Sequence, residues 1–314
     1  MIPNRVFFIW FGNKLPWAVG LAILSAKHIQ NPEEILLYID SEISGDGYDL
    51  IKDIPNLALK KIDDSLFSDL NDKGLMWQLF QKFEKPALKS DLLRFALVYK
   101  YGGVYLDTDI IAVKPWDDLL KYKGFCGLEA VAFPGDLYTS SNPFRYLLAG
   151  ILYLWRLLCA YLPRGWQIFR LTEGFFRHCA NGAILGSEAK NEIIEDFFAK
   201  ISELKEKDFS VPACIGPHIV QKSTKNKSSE NMETLISAYF YPLGPDISLQ
   251  YFRKNSAKHL DRILLPQTRI IHWYNSVEKK YLHRQLNKAW IEEYPTSAFA
   301  KLAQNIIGTK NDSK

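Results

Sequence analysis

Two aspartates one residue apart, Asp107 and Asp109, stand in the stretch GGVYLDTDIIAV at 102–113 of a 314-residue chain. The apolar residues around them read as a buried strand over 104–113, and its period of two puts Tyr105, Asp107 and Asp109 on one side. Two neighbouring carboxylates that both stay charged repel each other and lose hydration. A site that keeps them charged usually offers a divalent cation, with phosphate oxygens as natural further ligands. The chemistry this pair points to is a metal–diphosphate site. The plainer alternative is a strand end in water, the common fate of an isolated D-x-D.

The segment before the pair adds charge of the other sign. In KPALKSDLLRFALVYKYGG a helix starts at Pro86 and stops at Gly102-Gly103. Asp91 and Arg94 are three apart and share a helical face, while Leu88, Leu92, Phe95, Ala96 and Tyr99 form the apolar stripe that packs on a sheet. The elements that must position this block alternate along the chain. Strands are expected at 5–11, 34–40, weakly at 58–63, at 104–113 and at 268–274; helices at 16–30, 75–84 and 191–204; and a polar loop at 223–230. There are no internal repeats. The architecture this order predicts is one α/β domain over 1–305, followed by a flexible tail at 306–314.

Composition narrows the partners. With 47% hydrophobic and 24% charged residues the chain can bury a full core, and 39 basic against 35 acidic side chains is too small an excess for a nucleic-acid face. Cys126, Cys159, Cys179 and Cys214 show no C-x-x-C pairing, which fits a reducing compartment and neither a zinc ribbon nor a disulfide framework. The first apolar run, in MIPNRVFFIWFG, is too short for a signal sequence and reads as a first strand, so no export is expected.

Taken together, Ser90, Asp91, Arg94, Tyr101, Gly102, Gly103, Tyr105, Asp107 and Asp109 resemble the DxD sugar-binding region of glycosyltransferase family thirty-two and its relatives, which include fungal α-mannosyltransferases and bacterial capsule and lipopolysaccharide transferases. The likeness extends to Ile2, Pro3, Ile9, Trp10, Phe11 and Gly12, and more loosely to Asn181-Gly182, Gly216-Pro217 and His272-Trp273 with Ser276. It implies a GT-A fold, a Rossmann-like α/β/α sandwich that binds a UDP- or GDP-sugar at the carboxyl ends of its strands. By that resemblance Trp10 stacks on the nucleobase, Asp91 bonds ribose or donor-sugar hydroxyls, and Arg94 lies beside the donor sugar or phosphate. Asp107 meets the ribose and the metal shell, Asp109 coordinates Mn2+ or Mg2+, and His272 is the third metal ligand. Asn181 bonds the donor sugar and Ser276 the phosphates; the tryptophan that follows this serine in relatives is Val277 here. The resemblance also implies retention of anomeric configuration. A front-face route, in which the departing phosphate takes the acceptor's proton, is favoured over double displacement because spacing identifies no carboxylate nucleophile.

One segment falls outside that likeness. Residues 137–172 carry Arg145, Arg156, Arg164 and Arg170, no acidic residue, and the run YLLAGILYLWRLLCAYL. An arginine at mid-span costs roughly 2.5–3.5 kcal/mol on insertion scales, which counts against spanning a bilayer. Arg145 and Arg156 are three helical turns apart and project to one side. The expectation is therefore a helical insertion lying in the headgroup layer, its arginines on lipid phosphates and Tyr153, Trp155, Tyr161 and Trp166 at the interface. The alternative is a buried hairpin. The membrane reading places the chain in the cytoplasm at the inner membrane face, with a glycan or lipid-linked acceptor.

Two other classes fit the acidic pair less well. A haloacid-dehalogenase-like phosphatase also carries D-x-D, but it expects threonine or valine where Ile110-Ile111 stand, and it leaves Arg94 and the double glycine without a role. A non-catalytic membrane- or carbohydrate-binding module needs no acidic pair.

Overall fold

A computed structural model describes residues 1–211, 213–226 and 230–312. The chain opens with β1 (Arg5–Trp10), α1 (Trp17–Gln30), β2 (Glu34–Ile39), α2 (Asp46–Ile51) and β3 (Leu57–Lys61). It continues with α3 (Leu75–Lys82), α4 (Pro86–Tyr101), β4 (Gly103–Leu106), β5 (Ile110–Ala112) and β6 (Gly124–Val131). Then come α5 (Pro143–Tyr161), α6 (Gly165–Thr172), β7 (Arg177–Ser187), α7 (Glu192–Ser202), α8 (Pro217–Asn226), β8 (Glu233–Leu235) and β9 (Ile270–His272). A helix over Ala298–Asp312 closes the chain.

The main sheet runs β3-β2-β1-β4-β7-β6-β8. β1, β2, β3 and β4 are parallel, β7 is antiparallel to both β4 and β6, and β8 is parallel to β6. Strand alternation divides the core in two: Val6 and Phe8 face the layer built from α1 and the C-terminal helix, while Phe7 and Ile9 face α4 and α7. That is an α/β/α sandwich of the GT-A, Rossmann-like kind, and its parallel part reads as near-continuous apolar runs because both faces are covered.

Three expectations change. The strand expected over 104–113 breaks: β4 ends at Leu106, and the chain crosses Asp107-Thr108-Asp109 to reach β5, which pairs with β9 in a separate two-stranded sheet. The aspartates therefore form a corner between two sheets, where carboxylates escape the ladder and can converge. The polar loop expected at 223–230 is helical as far as Asn226, because Ile219, Val220 and Ser223 bury one face; Lys227, Ser228 and Ser229 lie outside the described residues. The tail expected at 306–314 is helical through Asp312: Ala298, Phe299, Ala303 and Ile306 are buried, an apolar period that anchors the helix up to Ile306.

The turn from α4 into β4 needs both glycines. Gly102 (φ 65°) and Gly103 (φ 131°) take conformations that L side chains rarely adopt, and a Cβ on Gly103 would stand 2.8 Å from the Arg5 carbonyl oxygen. Gly103→Ala is expected to cost about 1–3 kcal/mol in urea unfolding. A loss below about 0.5 kcal/mol would show that the turn tolerates a side chain.

Candidate active site

Helix α4 begins at Pro86, whose fixed φ suits a first turn, and buries Asp91 and Arg94 against the sheet. Arg94 reaches Asp91 Oδ1 at 3.0 Å and Asp107 Oδ1 at 3.2 Å, and its guanidinium lies 4.7 Å over the Tyr105 ring. The Tyr105 hydroxyl donates to Asp107 Oδ1 at 2.6 Å. Asp91 also needs Gly216, because a Cβ there would stand 2.6 Å from its Oδ1. The expected sharing of a face by Asp91 and Arg94 holds, and Asp107 completes the network.

On the other side of the corner, β9 delivers His272. Its Nε2 lies 2.8 Å from Asp109 Oδ1 and 3.9 Å from Asp107 Oδ2, and the Asn275 backbone N–H donates to Asp109 Oδ2 at 2.7 Å. One ligand atom from each of Asp107, Asp109 and His272 lies within 4.8 Å of the others. This oxygen, oxygen and imidazole-nitrogen set suits Mn2+ or Mg2+ completed by diphosphate oxygens. The His272 Nδ1 is buried without a hydrogen-bond partner, so the protein does not clamp the ring from behind.

The electrostatics state the same need. Burial pushes the Asp107 carboxyl up, Asp109 adds to it, and Arg94 and His272 oppose it. Burial would also raise Asp109, but His272 and the Asn275 N–H outweigh it and hold this carboxyl low. Burial would lower His272, yet Asp109 and Asp107 raise it, so a proton on the imidazole occupies the charge role that a divalent cation fits.

Beside Asp109 lies a cavity of about 550 Å³ whose lining includes Trp10, Lys14, Asn275 and Lys279. The Trp10 indole Nε1 donates to the Lys14 carbonyl at 3.1 Å, which fixes the ring at the end of β1. Ser276 is exposed next to Asn275, and Val277, where relatives have tryptophan, is a fully buried core residue. Asn181 sits on β7 a step away: its Nδ2 donates to Glu129 Oε2 at 2.7 Å and its Oδ1 accepts from Ala183 N.

Sequence reasoning missed Glu129, Asn275 and Tyr274. Glu129 is buried on β6, just after a register slip between Cys126 and Gly127, and also accepts from the Tyr274 hydroxyl at 2.6 Å. Its signal was available: it is the one charged residue in the strand GFCGLEAV. Asn275 acts through its backbone and left no signal.

The inserted segment forms α5 and α6, with the expected arginine geometry reversed. Arg145 and Arg156 do share a side of α5, but that side faces the protein: Arg156 is buried against Asp246 at 2.8 Å and Arg145 pairs with Asp136 at 3.0 Å. Trp155 donates to Thr172, Tyr153 accepts from Lys280, and Trp166 is buried, so of the four aromatics expected at an interface only Tyr161 is exposed. The outward face carries Phe144, Leu147, Ile151, Leu154 and Leu158 instead.

Residues 25–125 match the family described as "Glycosyltransferase sugar-binding region containing DXD motif". The matched region takes in α4, β4 and the Asp107–Asp109 corner, so the likeness to that glycosyltransferase family falls on the site itself. It is 28% identical over 139 residues to glucan organizing enzyme 1 of Cryptococcus neoformans, covering 41% of this chain and 35% of that one. It is 26% identical over 163 residues to inositol phosphoceramide mannosyltransferase 1 of Schizosaccharomyces pombe, covering 41% and 51%. Against the human alpha-1,4-N-acetylglucosaminyltransferase the identity is 28% over 101 residues, covering 32% and 22%. The chain thus spans between a fifth and about half of the length of these relatives. A galactosyltransferase LgtC solved with donor and acceptor sugar analogs superposes with a TM-score of 0.44 at 12% identity, over 97% of this chain and 95% of the other.

Asp91 supplies a pH test. Burial, offset in part by Arg94, pushes its carboxyl from 3.8 up to about 6. The folded state then holds this proton more tightly than the unfolded chain does, so the group favours folding most below about pH 4 and that contribution is lost as pH rises through about 6. Asp91→Asn cannot ionise, so its melting temperature is expected to gain on the parent's between these limits. A difference that stays flat with pH would contradict the assignment.

Proposed function

We propose that the protein is a metal-dependent, retaining glycosyltransferase that moves a hexosyl or N-acetylhexosaminyl group from a UDP- or GDP-sugar to a glycan or lipid-linked acceptor, in cell-surface polysaccharide synthesis at the cytoplasmic membrane face. The observation that carries this is the convergence of Asp107, Asp109 and His272, with ligand atoms within 4.8 Å, beside a cavity bordered by an indole. The names of the relatives support it, and one of them, the inositol phosphoceramide mannosyltransferase, is named for a lipid acceptor.

In this reading Trp10 offers the nucleobase an apolar platform, and Lys14 and Lys279 lend positive charge to the cavity that takes the diphosphate. Asp107, Asp109 and His272 hold the cation, which when bound would offset the charge of the leaving diphosphate. Arg94 fixes Asp107 and, with Asp91, borders the donor sugar. The bond from the anomeric carbon to the phosphate oxygen breaks as the bond to the acceptor oxygen forms. The acceptor's proton passes to the departing phosphate, and no protein nucleophile is required.

Peripheral membrane contact is part of the proposal, carried by the apolar outward face of α5 in place of arginines on phosphates. α5 is long and apolar enough to cross a membrane by length and composition, but Arg156 and Asp246 tie its inner side to the domain. A half-buried position in the headgroup layer suits it better.

Asp109→Asn is expected to lower Mn2+-dependent hydrolysis across a panel of UDP- and GDP-sugars by about 10²–10³-fold. It should also abolish the rise in melting temperature given by Mn2+ with a nucleoside diphosphate. Full hydrolysis by a folded variant would sink the metal assignment. For the membrane, Leu147→Glu with Leu154→Glu is expected to abolish co-sedimentation with phosphatidylcholine–phosphatidylglycerol vesicles and leave donor hydrolysis intact; unchanged sedimentation would remove the α5 face from the proposal.

A further inference from the structure

A second cavity, of about 430 Å³, shares no lining residue with the Trp10 cavity, and the nucleotide reading leaves it unused. Glu129 is in its wall. The two carboxylate oxygens each accept one hydrogen bond, from Asn181 and from Tyr274, which fixes their direction. Tyr274 packs on His272, ring centroids 4.1 Å apart, and the next residue's N–H holds Asp109. This wall is therefore joined to the metal-binding triad through a single tyrosine.

The rest of the lining is mixed: Phe133, Tyr138 and Val211 offer apolar surface, Gln221 and His218 are polar, and Asp136, Arg177, Asp208, Lys222 and Lys225 are charged. Burial and Lys222 hold the His218 imidazole below its ordinary range, so at neutral pH it is uncharged and offers both a donor and an acceptor. Apolar surface interleaved with hydrogen-bonding and charged groups matches a sugar ring, which has C–H faces and a hydroxyl edge. Asp109 and Trp10 line only the first cavity, so a donor's base and diphosphate belong there.

The second cavity also opens into a mainly apolar groove, with the ion pairs of Asp136 to Arg145 and Arg177 where the two meet. Val131, Pro134 and Arg177 line both the cavity and this groove of about 150 Å³, which includes Leu148, Leu152 and Phe175. Leu148 is 57% exposed and Phe175 77%, so the groove runs out onto the apolar face of α5. Apart from Met1, Leu59, Ile236 and Tyr294, every exposed large hydrophobic side chain among the described residues lies between Phe133 and Phe175.

We propose that this cavity is the acceptor subsite, that Glu129 accepts a hydrogen bond from a hydroxyl of the acceptor sugar, and that the adjoining groove takes the acceptor's alkyl chain. The acceptor is then an amphiphile, a sugar head on an aliphatic tail, and not a free oligosaccharide. The assignment rests on the glycosyl-transfer reading and adds the substrate class and a residue, Glu129, that faces it.

The test is saturation-transfer NMR on the full chain with UDP and Mg2+, using octyl β-D-glucoside below its micelle threshold, octyl β-lactoside, and methyl β-D-glucoside. The octyl glycosides are expected to bind at least about tenfold more tightly than the methyl glycoside, as burial of several methylenes requires. Val211→Trp, which fills the cavity, should abolish the signal. Glu129→Gln, which keeps the volume and the Tyr274 contact, should weaken the sugar-proton signal while UDP binding stays at the parent level. Absence of binding by either octyl glycoside, binding unchanged in both variants, or equal affinity for methyl and octyl forms would overturn the inference. Normal UDP binding alongside any of these results leaves the donor reading standing, whereas failure of both UDP and GDP to bind counts against that reading and this one together. A melting curve identifies a variant that has not folded, and the other variant then decides.

Discussion

Three carboxylates, Asp91, Asp107 and Asp109, are gathered where water is largely excluded, and the site depends on the cations that balance them. Arg94 stands between Asp91 and Asp107, and His272 faces Asp109. Removing one partner of a buried charge pair leaves the other uncompensated, at a cost of about 3–5 kcal/mol. That requirement couples elements far apart in sequence. α4 must bring Arg94 over Tyr105, β4 must stop at Leu106, and β9 must pair with β5 so that His272 arrives opposite the corner. Even so, the balance is one cation short of comfortable. Asp109 and Asp107 raise the His272 imidazole against its burial, and burial raises the Asp107 carboxyl.

The backbone at the corner shows why the arrangement is stable. Asp107 N still bonds the Ala183 carbonyl, as though β4 continued along β7, and Trp273 N bonds the Asp109 carbonyl on the other side. The main chain thus remains satisfied across a break between sheets while both carboxylates are free to converge. A continuous strand would have kept them a pleat repeat apart on a flat surface. The split lets His272 and the Asn275 N–H close around Asp109 from one direction while Arg94 and Tyr105 hold Asp107 from another.

The readability of the fold followed the kind of signal each element carries. α4 was legible because its start, stripe and stop are local: Pro86, an apolar face, and two glycines with positive φ. The pairing of Asp91 with Arg94 was legible from helical spacing, whereas their meeting with Asp107 was not, since spacing within a helix and within a strand does not state where the two touch. The break after Leu106 was not legible either, since IIA reads as more strand and only the pairing with Ile270–His272, more than 150 residues later, shows where it goes. Glu129 was missed for a related reason, because one acid in an apolar strand does not state whether it meets water, a cation or two hydrogen-bond donors. Asn275 contributes a backbone N–H, which any residue type could supply.

The inserted helices show how a correct period can still give the wrong face. Arg145 and Arg156 do project together, but a charge pattern does not state which side of a helix the protein occupies; Asp246, a hundred residues away, decides it. Asp246 takes a positive φ of 63° that a side chain adopts only at some cost, and there it accepts from Arg156, Lys280 and Tyr281. That cluster anchors the inner side of α5 with charge. The arginines are thereby consumed in holding the helix down, and the leucines, isoleucine and phenylalanine of the other side are left outward. A contiguous apolar surface of this kind is unfavourable in water, and the packing beneath it is carried by other residues, Ala149, Cys159 and Ala160 beside the Arg156–Asp246 pair. Under the proposed acceptor assignment, its position at the mouth of the groove leading to Glu129 gives it a use: a surface for aliphatic chains and a pocket for a hydroxyl edge would be two ends of one path.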